Sequence, residues 1–127
     1  MPANSKTKVT ILTLRRHKRT KEKTCLVTAY DYPQALIADK SKVDAILVGD
    51  SAGMTTHGYK NTIPVTMDEM ENHCKAVSRG AKDAFLIGDM PYMSYQPSNE
   101  IAVNLSLIHI SEPTRPLYIS YAVFCLK

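Results

Sequence analysis

The sequence predicts a parallel α/β fold. Three observations carry that prediction. Short apolar runs of strand length recur along the chain, segments with helical caps and helical spacing separate them, and two of the runs end in the same Gly-Asp pair. Strand, helix, strand, helix, strand at these intervals is the order of βα units around a parallel sheet. Right-handed crossovers would then bring the C-terminal ends of all three strands to one edge.

The first 23 residues are a basic segment in which Lys6, Lys8, Arg15, Arg16, Lys18, Arg19, Lys21 and Lys23 are opposed only by Glu22. Such an arm suits nucleic acid or an anionic membrane. No aromatic is interleaved with it, so the stacking element of a single-strand binder is missing. The reading adopted is a short helix near Ile11 to Arg16 with a solvated basic end, and neither nucleic acid nor a membrane as partner. Arginine with little acid also fits a mitochondrial presequence, the lesser reading.

The βα alternation begins at Thr24. Cys25 to Ala29 is β-prone and mostly apolar, and it ends at Tyr30-Asp31. Pro33 fits the first turn of a helix, and Ala35, Leu36, Ile37 and Ala38 supply its apolar face. Ala45-Ile46-Leu47-Val48 is a continuous apolar run, as expected of a parallel strand buried on both faces. Gly49 to Val65 reads as a long loop, marked by Gly53, Gly58 and Pro64. Thr66 and Glu69 then form a T-x-x-E capping box, with Val65 placed to staple onto Met70. Met70, Cys74 and Val77 recur at helical spacing, and Gly80 after Arg79 reads as a C′ stop. Phe85-Leu86-Ile87 is the third strand.

The last 23 residues read differently. Leu105 to Arg115, LSLIHISEPTR, is the in-frame translation of a transposase-type sequencing-library adapter. Ile119 to Leu126, ISYAVFCL, translates the invariant end of the same adapter, on the far side of a short index covered by Pro116 to Tyr118. The competing reading is a C-terminal pair of strands. The expectation is three segments: a basic segment over 1–23, a partial α/β domain over 24–104, and a non-native tail over 105–127 that stays out of fold reasoning. Setting aside Glu112, Arg115 and Lys127 lowers the net charge from +4 to +3. It also leaves Cys25 and Cys74, whose wide spacing gives neither a zinc pattern nor a disulfide framework, so a reducing cytoplasm is the expected compartment. No apolar run approaches the ~20 residues that span a bilayer, and the N-terminus lacks the apolar core of a secretory signal.

The chemistry is expected at the strand ends. Leu47-Val48-Gly49-Asp50 and Leu86-Ile87-Gly88-Asp89 each place a carboxylate just past an apolar run, 39 residues apart, about one βα repeat. Two hard oxygen donors at that edge suit Mg²⁺, and ligands of parallel α/β folds bind outside the carboxyl ends of the strands. The alternative makes both aspartates turn formers or helix caps. Gly49-Asp50-Ser51-Ala52-Gly53 also fits G-x-S-x-G, the nucleophile elbow of serine hydrolases, which requires a helix straight after the turn. The run from Met54 to Pro64 shows no apolar helical period, and His57 lies too close in sequence to be the usual triad histidine. His57 and His73 as metal ligands rank below ordinary surface or core positions.

Several segments in fixed order carry a family resemblance: VTAYDYPQA (Val27 to Ala35), ILVGDSAGM (Ile46 to Met54), IPVTMDEM (Ile63 to Met70), HCKAVSRGA (His73 to Ala81) and LIGDMPYMSY (Leu86 to Tyr95). Together they resemble the ketopantoate hydroxymethyltransferases, from about Thr24 to Asn104. The resemblance implies a (β/α)₈ TIM barrel, of which this chain holds the N-terminal part, about three βα units. It implies transfer of a hydroxymethyl group from 5,10-methylenetetrahydrofolate to 3-methyl-2-oxobutanoate, giving 2-dehydropantoate on the pantothenate route to coenzyme A. The implied cofactor is Mg²⁺, assisting an enolate, with the folate as co-substrate. The family's metal aspartates fall on Asp50 and Asp89, and its keto-acid contacts on Asp50, Ser51 and Asp89. A homo-oligomeric, cytoplasmic full-length enzyme is implied as well.

The departures lie toward the C-terminus. The family's next strand carries a Lys and a metal-binding Glu in a K-x-E-G context, and a later strand carries its general base, also a Glu. Neither is found after Asn104. The chain as written is therefore expected to be inactive, short of a closed barrel, and left with an unpaired edge at its last strand. A short non-catalytic protein and a serine hydrolase fragment are the alternatives.

Overall fold

The computed structural model describes residues 8–94, 97, 98, 100 and 101, together with the backbone of 123–126. Lys6, Tyr95, Asn104 and most of the 105–127 segment lie outside the described residues. Three strands, β1 (Leu26–Thr28), β2 (Ala45–Val48) and β3 (Phe85–Asp89), lie side by side in chain order and run parallel. The connections carry α2 (Tyr32–Lys40) between β1 and β2, then α3 (Ala52–Thr55) and α4 (Met67–Gly80) between β2 and β3. The parallel α/β fold is as the sequence predicts.

Register explains where the core sits. Val27, Ile46 and Leu86 stand level across the three strands. All three join one apolar cluster with Ala35 from α2 and Met70 and Val77 from α4. Sealing side chains of this size contributes about 1.5–3 kcal/mol each. Side chains alternate across a strand, so the other face of the sheet carries Leu26, Leu47, Phe85 and Ile87. These remain half-buried, or 48% exposed in the case of Leu26. Burial on both faces, expected for β2, holds for Ala45, Ile46 and Val48 and falls short at Leu47; helices cover one face of the sheet, and the other is only partly covered among the described residues.

The helices follow their caps. In α4 the Thr66 hydroxyl accepts from the Glu69 N–H (3.3 Å), and the Glu69 carboxylate accepts from the Thr66 N–H (2.7 Å), the reciprocal box read from the sequence. Asp31 caps α2 by accepting from the Gln34 N–H (2.8 Å), and Pro33 sits in the first turn. The apolar face of α2 is narrower than expected, because Ala35 is buried while Ile37 is 66% exposed. Gly80 is also corrected. It ends α4 without a left-handed backbone, and Ala81 follows in extended conformation. Its role is close approach: a Cβ there would stand 2.7 Å from the Tyr32 carbonyl oxygen and 2.9 Å from the Ala35 Cβ, so the glycine lets α4 press onto α2.

The N-terminal helix α1 spans Ile11–Thr20, longer than expected, with Thr10 and Thr13 forming its capping box. Arg15, Arg16, Lys18 and Arg19 are exposed, as the solvated reading requires. Ahead of it, the buried Val9 donates its N–H to the Asp83 carbonyl (2.7 Å), tying the segment to the N-terminal edge of the sheet.

The expected unpaired edge at β3 is corrected too. A fourth strand, β4 (Val123–Leu126), pairs antiparallel with β3, setting Leu86 against Leu126 and Asp89 against Val123. An open edge offers a row of free N–H and C=O groups, and the β-prone Val-Phe-Cys-Leu of the tail takes it. Antiparallel pairing is foreign to a (β/α)₈ barrel, whose strands are all parallel.

Candidate active site at the strand ends

The C-terminal ends of all three parallel strands contribute to one cluster. β1 leads into Tyr30, β2 into Gly49, Asp50 and Ser51, and β3 ends in Asp89 itself. The two Gly-Asp repeats are staggered rather than level. Val48 pairs with Gly88, which puts Asp89 beside Gly49. A Cβ built on Gly49 would lie 3.4 Å from Asp89 Oδ2 and 3.2 Å from Ser51 Oγ. The bare Gly49 thus lies beside both the Asp89 carboxylate and the Ser51 hydroxyl.

Electrostatics follow from that stagger. Burial raises the Asp89 carboxyl above its ordinary value, and the neighbouring Asp50 charge raises it further. A hydrogen bond from the Asp50 backbone N–H opposes the rise. Two carboxylates brought together with so little compensation suit a cation. Mg²⁺ typically takes one or two protein carboxylates and fills the rest of its shell with water and ligand oxygens. Among the described residues no group of three or more His, Cys, Asp or Glu side chains converges on a metal position. Asp50 and Asp89 are two hard oxygen donors, a set that would need ligand oxygens or water to complete a cation's shell. Cys74 gives no soft alternative, because burial pushes its thiol up to about 12, helped by the Asp89 and Glu71 charges. Thiolate is the metal-binding and nucleophilic form.

Ser51 is not built as a hydrolase nucleophile. Its backbone is ordinary right-handed helical (φ −56°, ψ −16°), without the strain of an elbow, and the helix after it, α3, is a single turn. That turn corrects the all-loop reading of 49–65 without restoring the elbow. Among the described residues the hydroxyl partner of Ser51 is the Tyr30 phenol, at 2.7 Å. The histidines lie elsewhere. His57 and His73 meet each other, Nε2 to Nε2 at 2.8 Å, and the His57 ring stacks on Tyr59.

The structure brings Asp50, Ser51 and Asp89, the residues picked out from the sequence, to one sheet edge, and adds Tyr30 with His73 behind it, which the sequence reading did not pick out. A signal for Tyr30 existed, since Tyr30-Asp31 ends the first apolar run much as Gly49-Asp50 ends the second. Asp31 turns out to cap α2 and leaves the strand-end role to Tyr30. Nothing in the spacing marks His73.

A sequence model of the ketopantoate hydroxymethyltransferases matches residues 8–113. The chain belongs to the ketopantoate hydroxymethyltransferase family. The matched range runs nine residues past Asn104, into the segment that reads as translated adapter. A 3-methyl-2-oxobutanoate hydroxymethyltransferase of Thermoanaerobacter sp. strain X514 is 50% identical over 105 residues, covering 83% of this chain and 38% of that protein. The protein named 3-methyl-2-oxobutanoate hydroxymethyltransferase 1, mitochondrial, of Arabidopsis thaliana is 44% identical over 111 residues, covering 87% of this chain and 32% of its own length. A Clostridium kluyveri relative with the same enzyme name is 57% identical over 81 residues, covering 64% of this chain and 29% of its own length. The chain thus spans well under half the length of these relatives. Among the described residues no helix is long and apolar enough to cross a membrane.

Proposed function

We propose that this chain is the keto-acid-binding part of an enzyme that transfers a hydroxymethyl group from 5,10-methylenetetrahydrofolate to 3-methyl-2-oxobutanoate, giving 2-dehydropantoate. Family membership supports the reaction class. The observation that carries the assignment to this site is the placement of Asp89 and Ser51 beside the bare Gly49, with the Asp50 charge felt at Asp89.

Each residue then has a task. Asp50 and Asp89 hold Mg²⁺ as hard oxygen donors, directly or through water. Mg²⁺ held there would supply Lewis acidity to the bound keto acid and ease loss of its Cβ proton. Ser51 donates its hydroxyl proton to the substrate carboxylate and so fixes the orientation of the keto acid. Neither aspartate serves as the general base, because holding the metal requires both to remain ionised. The base, a further metal-binding Glu, the folate site and the remaining strands of a (β/α)₈ barrel belong to sequence beyond Asn104, and the complete enzyme is a cytoplasmic homo-oligomer.

The test is to read the gene onward from the codon for Asp89 on DNA prepared without a transposase library, and to assay the full-length product. The expected result is a frame that continues past Asn104 into a K-x-E-G strand, and a product with Mg²⁺-dependent hydroxymethyl transfer. A frame that ends as written here would overturn the reading. It would favour a short non-catalytic protein, for which the pairing of β4 with β3 is the supporting observation.

A further inference from the structure

Tyr30 stands at the same sheet edge as Asp50, Ser51 and Asp89, yet the binding scheme above leaves it without a task. Its placement is tightly determined. Its N–H donates to the Gln34 side-chain oxygen (3.0 Å), and its carbonyl oxygen is 2.7 Å from His73 Nδ1. A carbonyl only accepts, so the proton of that bond sits on His73 Nδ1. His73 Nε2 in turn lies 2.8 Å from His57 Nε2, a second contact that fixes the ring. The backbone of Tyr30 is thus gripped by α2 on one side and by α4 on the other. The phenol is delivered to Ser51 Oγ at 2.7 Å.

That contact has a chemical consequence. A serine hydroxyl has one proton and two lone pairs. In the free site either hydroxyl is able to donate to the other. An anionic carboxylate arriving at Ser51 accepts only, and therefore needs the Ser51 proton. The Ser51–Tyr30 bond survives that demand only with Tyr30 as donor. We propose that Tyr30 is a positioning residue for the keto acid: its hydroxyl donates to Ser51 Oγ and turns the Ser51 proton toward the substrate carboxylate, while His73 holds Tyr30 in place. The inference rests on the keto-acid role of Ser51 proposed above.

The test uses the full-length enzyme and a double-substitution cycle. Ser51→Ala and Tyr30→Phe are each expected to raise KM for 3-methyl-2-oxobutanoate about tenfold, with kcat within about twofold, as for loss of one charge-assisted hydrogen bond made alike in ground and transition states. In the Ser51→Ala background, Tyr30→Phe is expected to add nothing, because Tyr30 acts only through Ser51. A structural defect would instead lower kcat and thermal stability in both backgrounds. His73→Ala should raise KM as Tyr30→Phe does, and His73→Asn, which keeps an amide donor near Nδ1, should recover part of the loss. If Tyr30→Phe does not fold, the His73 pair decides. Independent, additive KM effects, or a Tyr30→Phe enzyme with unchanged KM while Ser51→Ala is impaired, would overturn the proposal and leave the function standing. An unimpaired Ser51→Ala enzyme would overturn the keto-acid role of Ser51 and the inference with it.

Discussion

At the scale of single residues, Gly49 matters through what it lacks. Its backbone is admissible for alanine, since its φ is not in the left-handed region, but a methyl group would stand 3.2 Å from Ser51 Oγ and 3.4 Å from Asp89 Oδ2, so the serine must give way slightly. Gly49→Ala in the full-length enzyme should therefore cost about tenfold in kcat/KM while thermal unfolding moves by about 1 kcal/mol or less. A parallel fall in stability and activity would place the effect in folding instead. Cys25 and Cys74 make a simpler check. Cys25 is exposed, whereas Cys74 is partly buried with its thiol pushed up to about 12. Under native conditions at pH 8, an alkylating reagent should label Cys25 and spare Cys74, as mapped by peptide mass spectrometry. The carboxylates were legible in the sequence because an apolar run followed by Gly-Asp occurs twice. Tyr30 and His73 were not, because their roles depend on a contact across 43 residues that only the fold creates.

At the scale of elements, two carboxylates hold the helices in place. Asp39, buried near the end of α2, accepts from the N–H groups of Lys82, Asp83 and Ala84 at 2.8–3.0 Å, clasping α2 to the turn before β3. Burial pushes its carboxyl up, but the three backbone donors outweigh it and leave the group below its ordinary value. Asp39→Ala strands those donors and should destabilise the full-length protein by about 2–4 kcal/mol in denaturant titration. Glu69 is held near 2, first by the Tyr59 hydroxyl at 2.6 Å and then by the Thr66 backbone N–H. A carboxylate lowered in the folded state contributes fully above its unfolded value and loses that contribution as pH falls through the folded one. The part of the stability carried by Glu69 should therefore be complete above about pH 4.5 and fade toward pH 2. Glu69→Gln should flatten the melting temperature profile across that range, leaving the residual slope of Asp39. An unchanged slope would remove Glu69 from the account. The cap of α4 was readable because it is written in four adjacent residues. Gly80 was misread because a glycine after a helix looks alike whether it turns the chain or admits a neighbour. The neighbours, Tyr32 and Ala35 of α2, are 48 and 45 residues away.

At the scale of the whole molecule, the sheet is covered on one face and half-open on the other, where Leu26 is exposed and Leu47, Phe85 and Ile87 are half-buried. A barrel of about 250 residues fills that open face with side chains from its own remaining strands. The 127-residue chain by itself should accordingly bind a hydrophobic dye, unfold without a cooperative transition and show no transfer activity. A sharp calorimetric transition together with Mg²⁺-dependent turnover would contradict this. The parallel sheet was legible from three apolar runs and one capped helix. The bare second face was not, because a continuous apolar strand reads the same whether its cover is present or lies further along the chain. The tail strand β4 escaped because its residues were set aside on their coding rather than on their β-propensity.

The central claim is that Asp50 and Asp89 make this sheet edge a metal-assisted site for proton loss from a keto acid. Exchange of the C3 hydrogen of 3-methyl-2-oxobutanoate in deuterated water, followed by NMR without folate, tests it most directly. The full-length enzyme should catalyse exchange only with Mg²⁺ present, and Asp89→Asn should slow it about 100-fold or more. Exchange at the same rate without Mg²⁺, or undiminished in Asp89→Asn, would contradict the account.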